Sequence, residues 1–137
     1  MPGKKTLEAV MLHKKGFNCA QAVFLPFCDY FGIDKQLGMQ IAEGFGAGMG
    51  DCKHTCGALS GAVMVAGLKY CDGNLHDHST KRVTYSAVRE LNAAFEKECG
   101  STVCAVIKGI DTGRVLKSCD ECVMVGAMLA EKLVNEK

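Results

Sequence analysis

Glycine recurs at every second position from Gly44 to Gly50, in the segment Gly44-Phe45-Gly46-Ala47-Gly48-Met49-Gly50. Glycine this dense costs too much backbone entropy to hold a helix, so the segment reads as a loop. The next stretch, Cys56 to Tyr70, is predicted helical and carries Gly57, Ala58, Ser60, Gly61, Ala62, Ala66 and Gly67. Side chains so small let a neighbouring backbone approach closely. The helix that bears them is therefore expected at the centre of a bundle, directly after a glycine-rich loop.

The remaining segments repeat apolar residues at helical spacing. Residues 5–14 read as a short amphipathic helix with Leu7, Val10 and Met11 on one side, stopped by Gly16. A second helix is predicted from Cys19 to Phe31, with Ala20, Val23, Phe24, Phe27 and Phe31 inward and Pro26 placed to kink or break it. Lys35 to Glu43 forms a third. Beyond a polar loop at 71–78, residues 80–98 form a long helix with Val83, Ala87, Leu91, Ala94 and Phe95 inward. A short helix starts near Ser101, and the last covers Cys119 to Asn135, with Val123, Ala127, Ala130 and Leu133 apolar. No period-two strand pattern competes. The expected fold class is all-α, a compact bundle of about six to seven helices. At 137 residues the chain suits one domain, 1–137, able to bury a core without disulfide staples.

A net charge of +1 suggests no nucleic-acid partner and no acidic membrane surface. The most apolar stretch, Ala58 to Leu68, is about half a bilayer span, so no membrane insertion is expected. The opening MPGKKTLEAV has basic residues without an apolar run behind them, which places the protein in the cytoplasm as an expectation.

Against that setting the nine cysteines stand out: Cys19, Cys28, Cys52, Cys56, Cys71, Cys99, Cys104, Cys119 and Cys122. An odd count in a reducing compartment points to metal ligation or redox work rather than to structural bridges. Some are expected to be small buried hydrophobes, as free cysteine often is. Four follow a residue suited to capping a helix. Asn18 precedes Cys19 with Gln21 at capping-box spacing, and Ser118 precedes Cys119 with Glu121 likewise. Thr55 precedes Cys56, and Ser101 lies shortly before Cys104. A cysteine in the first turn meets the positive end of the helix dipole, which favours the thiolate. If these helix starts converge, the clustered thiolates call for a compensating metal or cluster.

Other spacings carry less. Cys52-Lys53-His54-Thr55-Cys56 and Cys119-Asp120-Glu121-Cys122 are irregular for a zinc ribbon, and neither is followed by the His that covalent haem attachment needs. His54, between two cysteines, is the best histidine ligand candidate. His76 and His78 read as solvated loop residues, and His13, beside Lys14 and Lys15, as a surface residue. Met39, Met49, Met64, Met124 and Met128 read as core filler. The glycine loop has no GxGxxG frame, no leading strand and no following GK[ST], so a nucleotide site is not supported.

The segment GFGAGMGDCKHTCGALSGAVMVAGLKY resembles the C_GCAxxG_C_C family of bacterial and archaeal proteins, which is associated with redox activity. The signature stands here as Cys56-Gly57-Ala58-Leu59-Ser60-Gly61. The family's first cysteine matches Cys19 in FNCAQAVF and its third matches Cys104 in GSTVCAVI. The fourth matches Cys119, which puts Val123, Ala127 and Leu129 in the family's register and leaves Cys122 as an extra. The resemblance implies a helical domain that binds an iron–sulfur or related redox centre. A similar domain occurs in split-Soret cytochromes c, where it accompanies an iron–sulfur cluster and haems; here the haem motifs are missing, so no covalent haem is expected.

The leading expectation is therefore a metal–thiolate redox protein, with an iron–sulfur cluster on Cys19, Cys56, Cys104 and Cys119. Cys52, His54 and Cys122 are candidates of second rank. Cys28, Cys52, Cys71, Cys99 and Cys122 depart from the basic pattern and leave room for a larger cluster, a second metal or a resolving thiol. Electron transfer with a redox partner protein is the implied work, and a homodimer would suit the smooth Gly/Ala helix. Two alternatives stay open: a metal-free thiol–disulfide enzyme or sensor using Cys119 with Cys122 or Cys52 with Cys56, and a structural zinc or metal-delivery module.

Overall fold

The computed structural model describes residues 2–136. Among them run seven α-helices: α1 (Lys4–Lys14), α2 (Cys19–Cys28), α3 (Lys35–Glu43), α4 (Gly57–Tyr70), α5 (Lys81–Cys99), α6 (Cys104–Lys108) and α7 (Cys119–Asn135). The only strand-like pairing among the described residues is a single antiparallel bridge between Thr55 and Val103. The all-α architecture expected from the sequence is what the chain adopts.

Helix α4 packs on α2, α7 and α5, the central place its small residues suggested. A Cβ at Gly61 would stand 2.9 Å from both the Ala20 carbonyl oxygen and Val23 Cβ. A Cβ at Gly126 of α7 would stand 2.5 Å from the Ala58 carbonyl oxygen. Glycine at these crossings is a packing requirement: any larger residue would push two helices apart. The small residues at Gly57, Ala58, Gly61 and Ala62 are thus used in packing within the chain, while Gly67 has open space beside it. Phe27, Phe95 and Leu59 fill the core beside it and are fully buried. Each such side chain contributes about 1.5–3 kcal/mol through removal from water.

Several local expectations change. Helix α1 turns Thr6 and Ala9 inward, while Leu7 and Met11 are 55% and 58% exposed. Its rotation follows a polar anchor rather than its apolar stripe. The Glu131 carboxylate of α7 accepts from the Thr6 hydroxyl at 2.7 Å and from the Gly3 and Lys5 backbone N–H groups at 3.1 and 3.2 Å. Helix α2 stops at Cys28, short of Phe31, two residues after Pro26. Val83 is exposed, because the buried face of α5 begins only at Ala87. Of the methionines assigned to the core, Met39, Met49, Met124 and Met128 are exposed, and Met64 alone packs against it. No helix among the described residues is long and apolar enough to cross a membrane.

Candidate metal–thiolate site

Four helix starts converge, and each brings one of the predicted cysteines. They do so in two ways. At α2 and α7 a side chain outside the helix caps it. Asn18 accepts from the Gln21 N–H at 2.9 Å while the Asn18 N–H donates to the Gln21 side chain at 3.1 Å. Ser118 and Glu121 repeat the reciprocal pair at 3.2 and 3.1 Å. Both capping boxes are those read from the sequence, and they set Cys19 and Cys119 as the first helical residues.

The starts of α4 and α6 differ. Cys56 itself is the N-cap of α4, and Val103 is the N-cap of α6. Thr55 and Ser101 are therefore not caps. Thr55 is held by its antiparallel bridge to Val103, and the helix begins one residue later than its position suggested. Ser101 accepts instead from the Val103 N–H at 3.0 Å. These two starts are tied to each other through backbone. The Cys56 N–H donates to the Thr102 carbonyl at 2.8 Å, and the Cys104 N–H donates to the His54 carbonyl at 2.9 Å.

The glycine loop closes over this second pair. Gly48 has φ +54°, and a Cβ built on it would lie 2.5 Å from Cys104 Cβ. Only glycine meets both conditions. The loop thus packs on Cys104, whereas the glycine that packs beside Cys56 is Gly57. A Cβ there would meet the Ala20 nitrogen and the Phe45 carbonyl oxygen at 3.1 Å and Cys19 Cβ at 3.2 Å, which presses the start of α4 against that of α2.

Between the two pairs lies a pocket of about 190 Å³. Cys19, Cys56, Cys104, Cys119 and Cys122 line it, together with His13, Lys108 and Lys117. Of the residues ranked second, Cys122 is thus a wall of the pocket. Cys52 stands beside the Cys104 thiol but does not line the pocket. His54 turns away: its side chain is 63% exposed and lies 3.9 Å from Asp51. Cys28 is a core residue whose thiol donates to the Phe24 carbonyl, and Cys71 is an exposed residue closing α4. His76 and His78 are exposed in their loop, as expected.

Sequence spacing gave no sign of the three basic side chains in the wall. His13, expected at the surface, has a side chain only 20% exposed, and its Nδ1 donates to Asp120 at 2.5 Å. The partners are 107 positions apart, so no local pattern joins them. Burial pulls the Lys108 ammonium down, but Cys119, Cys104, Cys52 and Cys19 together outweigh it and hold the charged form.

The thiols do not respond alike to their positions. Cys56 is lowered from its ordinary 9.0 to about 7, first by the neighbouring Cys122 thiol acting as donor, then by the N–H groups of Ala58 and Leu59 and by Lys108, against the cost of burial. Cys19 is pushed up to about 12 by burial and by the charges of Cys56 and Cys119. Burial likewise raises Cys104 to about 11, with Cys52 adding to the effect. Cys122 is raised because its proton is shared toward Cys56 and Cys99. The thiol contacts, Cys122 with Cys56 and Cys99 and Cys52 with Cys104, join different partners from the pairs read along the sequence. Among the described residues, no three His, Cys, Asp or Glu side chains stand close enough to hold one metal ion.

Residues 17–133 match the family described as "Putative redox-active protein (C_GCAxxG_C_C)". The chain belongs to that family. The match takes in all four cysteines at the helix starts and leaves His13 outside it. No curated protein and no solved structure matches the chain.

Proposed function

We propose that this C_GCAxxG_C_C protein transfers electrons through an iron–sulfur cluster held by Cys19, Cys56, Cys104 and Cys119. The observation that carries this reading is the convergence of four sulfur donors, from four separate helix starts, on one pocket of about 190 Å³. Among the described residues no three such side chains are grouped to hold one ion, which supports a polynuclear centre over a lone tetrahedral zinc, whose four ligands crowd one atom. When bound, such a cluster supplies reversible one-electron transfer. The chain's own residues do the rest. Cys56, lowered to about 7, offers a thiolate near neutral pH. The raised thiols of Cys19 and Cys104 give up protons on binding, which makes assembly proton-releasing. Lys108 and Lys117 in the wall offset thiolate charge, and Ile107 limits water. The partner is a redox protein that docks at the pocket mouth.

A second reading rests on one observation. Cys56 is the lowered thiol and Cys122, its neighbour, is buried and protonated. That is the asymmetry of an attacking and a resolving thiol, so a metal-free dithiol would use Cys56 with Cys122.

Anaerobic purification, followed by a visible spectrum and assays for metal and acid-labile sulfide, separates these readings. Iron with sulfide and broad visible charge-transfer absorption is expected. Colourless protein carrying only zinc overturns the proposal. Colourless, metal-free protein with a Cys56–Cys122 disulfide replaces it with the dithiol.

A further inference from the structure

His13 closes the last turn of α1, and its ring forms part of the pocket wall. Its Nδ1 lies 2.5 Å from an Asp120 carboxylate oxygen. An ionised carboxylate only accepts, so Nδ1 carries a proton, and in the neutral ring that leaves the lone pair on Nε2. That lone pair is on the Cys19 side: Nε2 stands 3.8 Å from Cys19 Sγ.

This separation has a chemical meaning. Metal–sulfur bonds of about 2.3 Å and metal–nitrogen bonds of about 2.0–2.1 Å at a tetrahedral angle place the two donors about 3.5 Å apart. The observed pair is within a few tenths of an ångström of that value. A histidine that binds metal through one nitrogen characteristically donates its other N–H to a carboxylate, which fixes the ring and raises its basicity. Asp120 does this here, and it follows Cys119 directly in the capped first turn of α7. The positions of Cys119 and of the His13 ring are therefore set by one element.

From this geometry we infer that His13 binds, through Nε2, the same metal atom as Cys19 and takes the ligand position of either Cys104 or Cys119, so that the metal atoms stay tetrahedral and the centre has a mixed imidazole–thiolate donor set. Asp120 is its positioning residue. The inference rests on the iron–sulfur reading above and exchanges one of its thiolates for a donor that lies outside the family match. It carries a consequence for electron transfer: a neutral imidazole in the donor set raises the reduction potential relative to thiolates alone.

The test is pulsed EPR on dithionite-reduced, anaerobically purified protein grown with ¹⁵N-histidine. A ¹⁵N hyperfine coupling is expected in the native protein and lost in His13→Ala. His13→Cys, which restores a donor without nitrogen, should keep the iron, lose the coupling and shift the midpoint potential to more negative values. Asp120→Ala, with the imidazole intact but unanchored, should weaken iron retention against a chelator about 10-fold or more and broaden the nitrogen coupling. A merely structural His13–Asp120 contact would alter melting without touching coupling or potential. Iron and sulfide present with no ¹⁵N coupling, or a coupling that survives in His13→Ala, overturns the histidine ligand and leaves the cluster standing. Native protein without iron overturns both.

Discussion

The starts of α2 and α7 are capped by Asn18 and Ser118, whereas those of α4 and α6 have no side-chain cap and are tied together by backbone. Each pair brings two cysteines to the same pocket. In the capped pair the Asn18 and Ser118 oxygens take the N–H groups of the third helical residues, so those groups are spent before sulfur can use them. In the uncapped pair Cys56 stands where a cap would, and the Cys122 thiol first, then the N–H groups of Ala58 and Leu59, favour its thiolate. Position at a helix start is thus not enough to activate a thiol. What matters is whether the sulfur faces the free N–H groups and what other charges lie nearby. Cys19 follows a well-formed cap and is nonetheless raised, because burial and two neighbouring sulfurs outweigh the dipole.

The comparison can be broken most severely at Gly48. Gly48→Val adds a branched side chain at φ +54° and against Cys104. A cost of about 3 kcal/mol or more is expected, from backbone strain and overpacking together. The urea midpoint of the metal-free, reduced protein measures it. The capped pair, which Gly48 does not touch, should keep its helices by circular dichroism.

The pocket thiols also pull stability in opposite directions with pH, and Cys56 and Cys104 do so within one pair. Cys56 holds fewer protons folded than unfolded between pH 7 and 9, so its contribution grows as pH rises through that window and is lost as pH falls through about 7. Its size is on the order of 2 kcal/mol. Cys19 and Cys104 hold more protons folded than unfolded above pH 9.0, so their contribution falls as pH rises toward 11 and 12. Reduced, metal-free protein should therefore be most stable near pH 9. Cys56→Ser keeps a small polar side chain at the N-cap position but does not titrate, and it should flatten the rise between pH 7 and 9. A rise that persists in that variant would assign the effect elsewhere.

A smaller contrast sharpens the account of the caps. Asn18→Ala and Ser118→Ala should each cost about 1 kcal/mol in thermal or urea unfolding. Thr55→Ala should cost no more than about 0.5 kcal/mol, because Thr55 contributes through its backbone bridge. Equal losses at all three would mean that Thr55 caps after all.

What the sequence disclosed follows the range of the interactions. The caps of α2 and α7 lie within four residues of the chain, and both were legible from Asn18–Gln21 and Ser118–Glu121. The centrality of α4 was legible because small residues at Gly57, Gly61 and Ala62 state the need for close approach wherever the partner lies. The pocket cysteines were legible from their helix starts and from the family signature. The α1 orientation was hidden because Glu131, far along the chain, sets it through Thr6. His13 and Asp120 were hidden for the same reason. Thr55 misled because a local cap signal lost to a long-range bridge with Val103. The contacts of Cys122 with Cys56 and Cys99 were hidden because spacing along one segment says little about which sulfurs meet across four helix starts.

The central claim is that both pairs of helix starts hold one centre. The most direct measurement is the iron and acid-labile sulfide content of Cys19→Ala and Cys56→Ala, one from each pair, against Cys71→Ala, which is exposed and away from the pocket. All three are purified anaerobically and checked for native helix content. The account predicts that both pocket variants lose the visible charge-transfer band and the iron, while Cys71→Ala retains native amounts. Full iron and sulfide in either pocket variant would contradict a single centre shared by the two pairs.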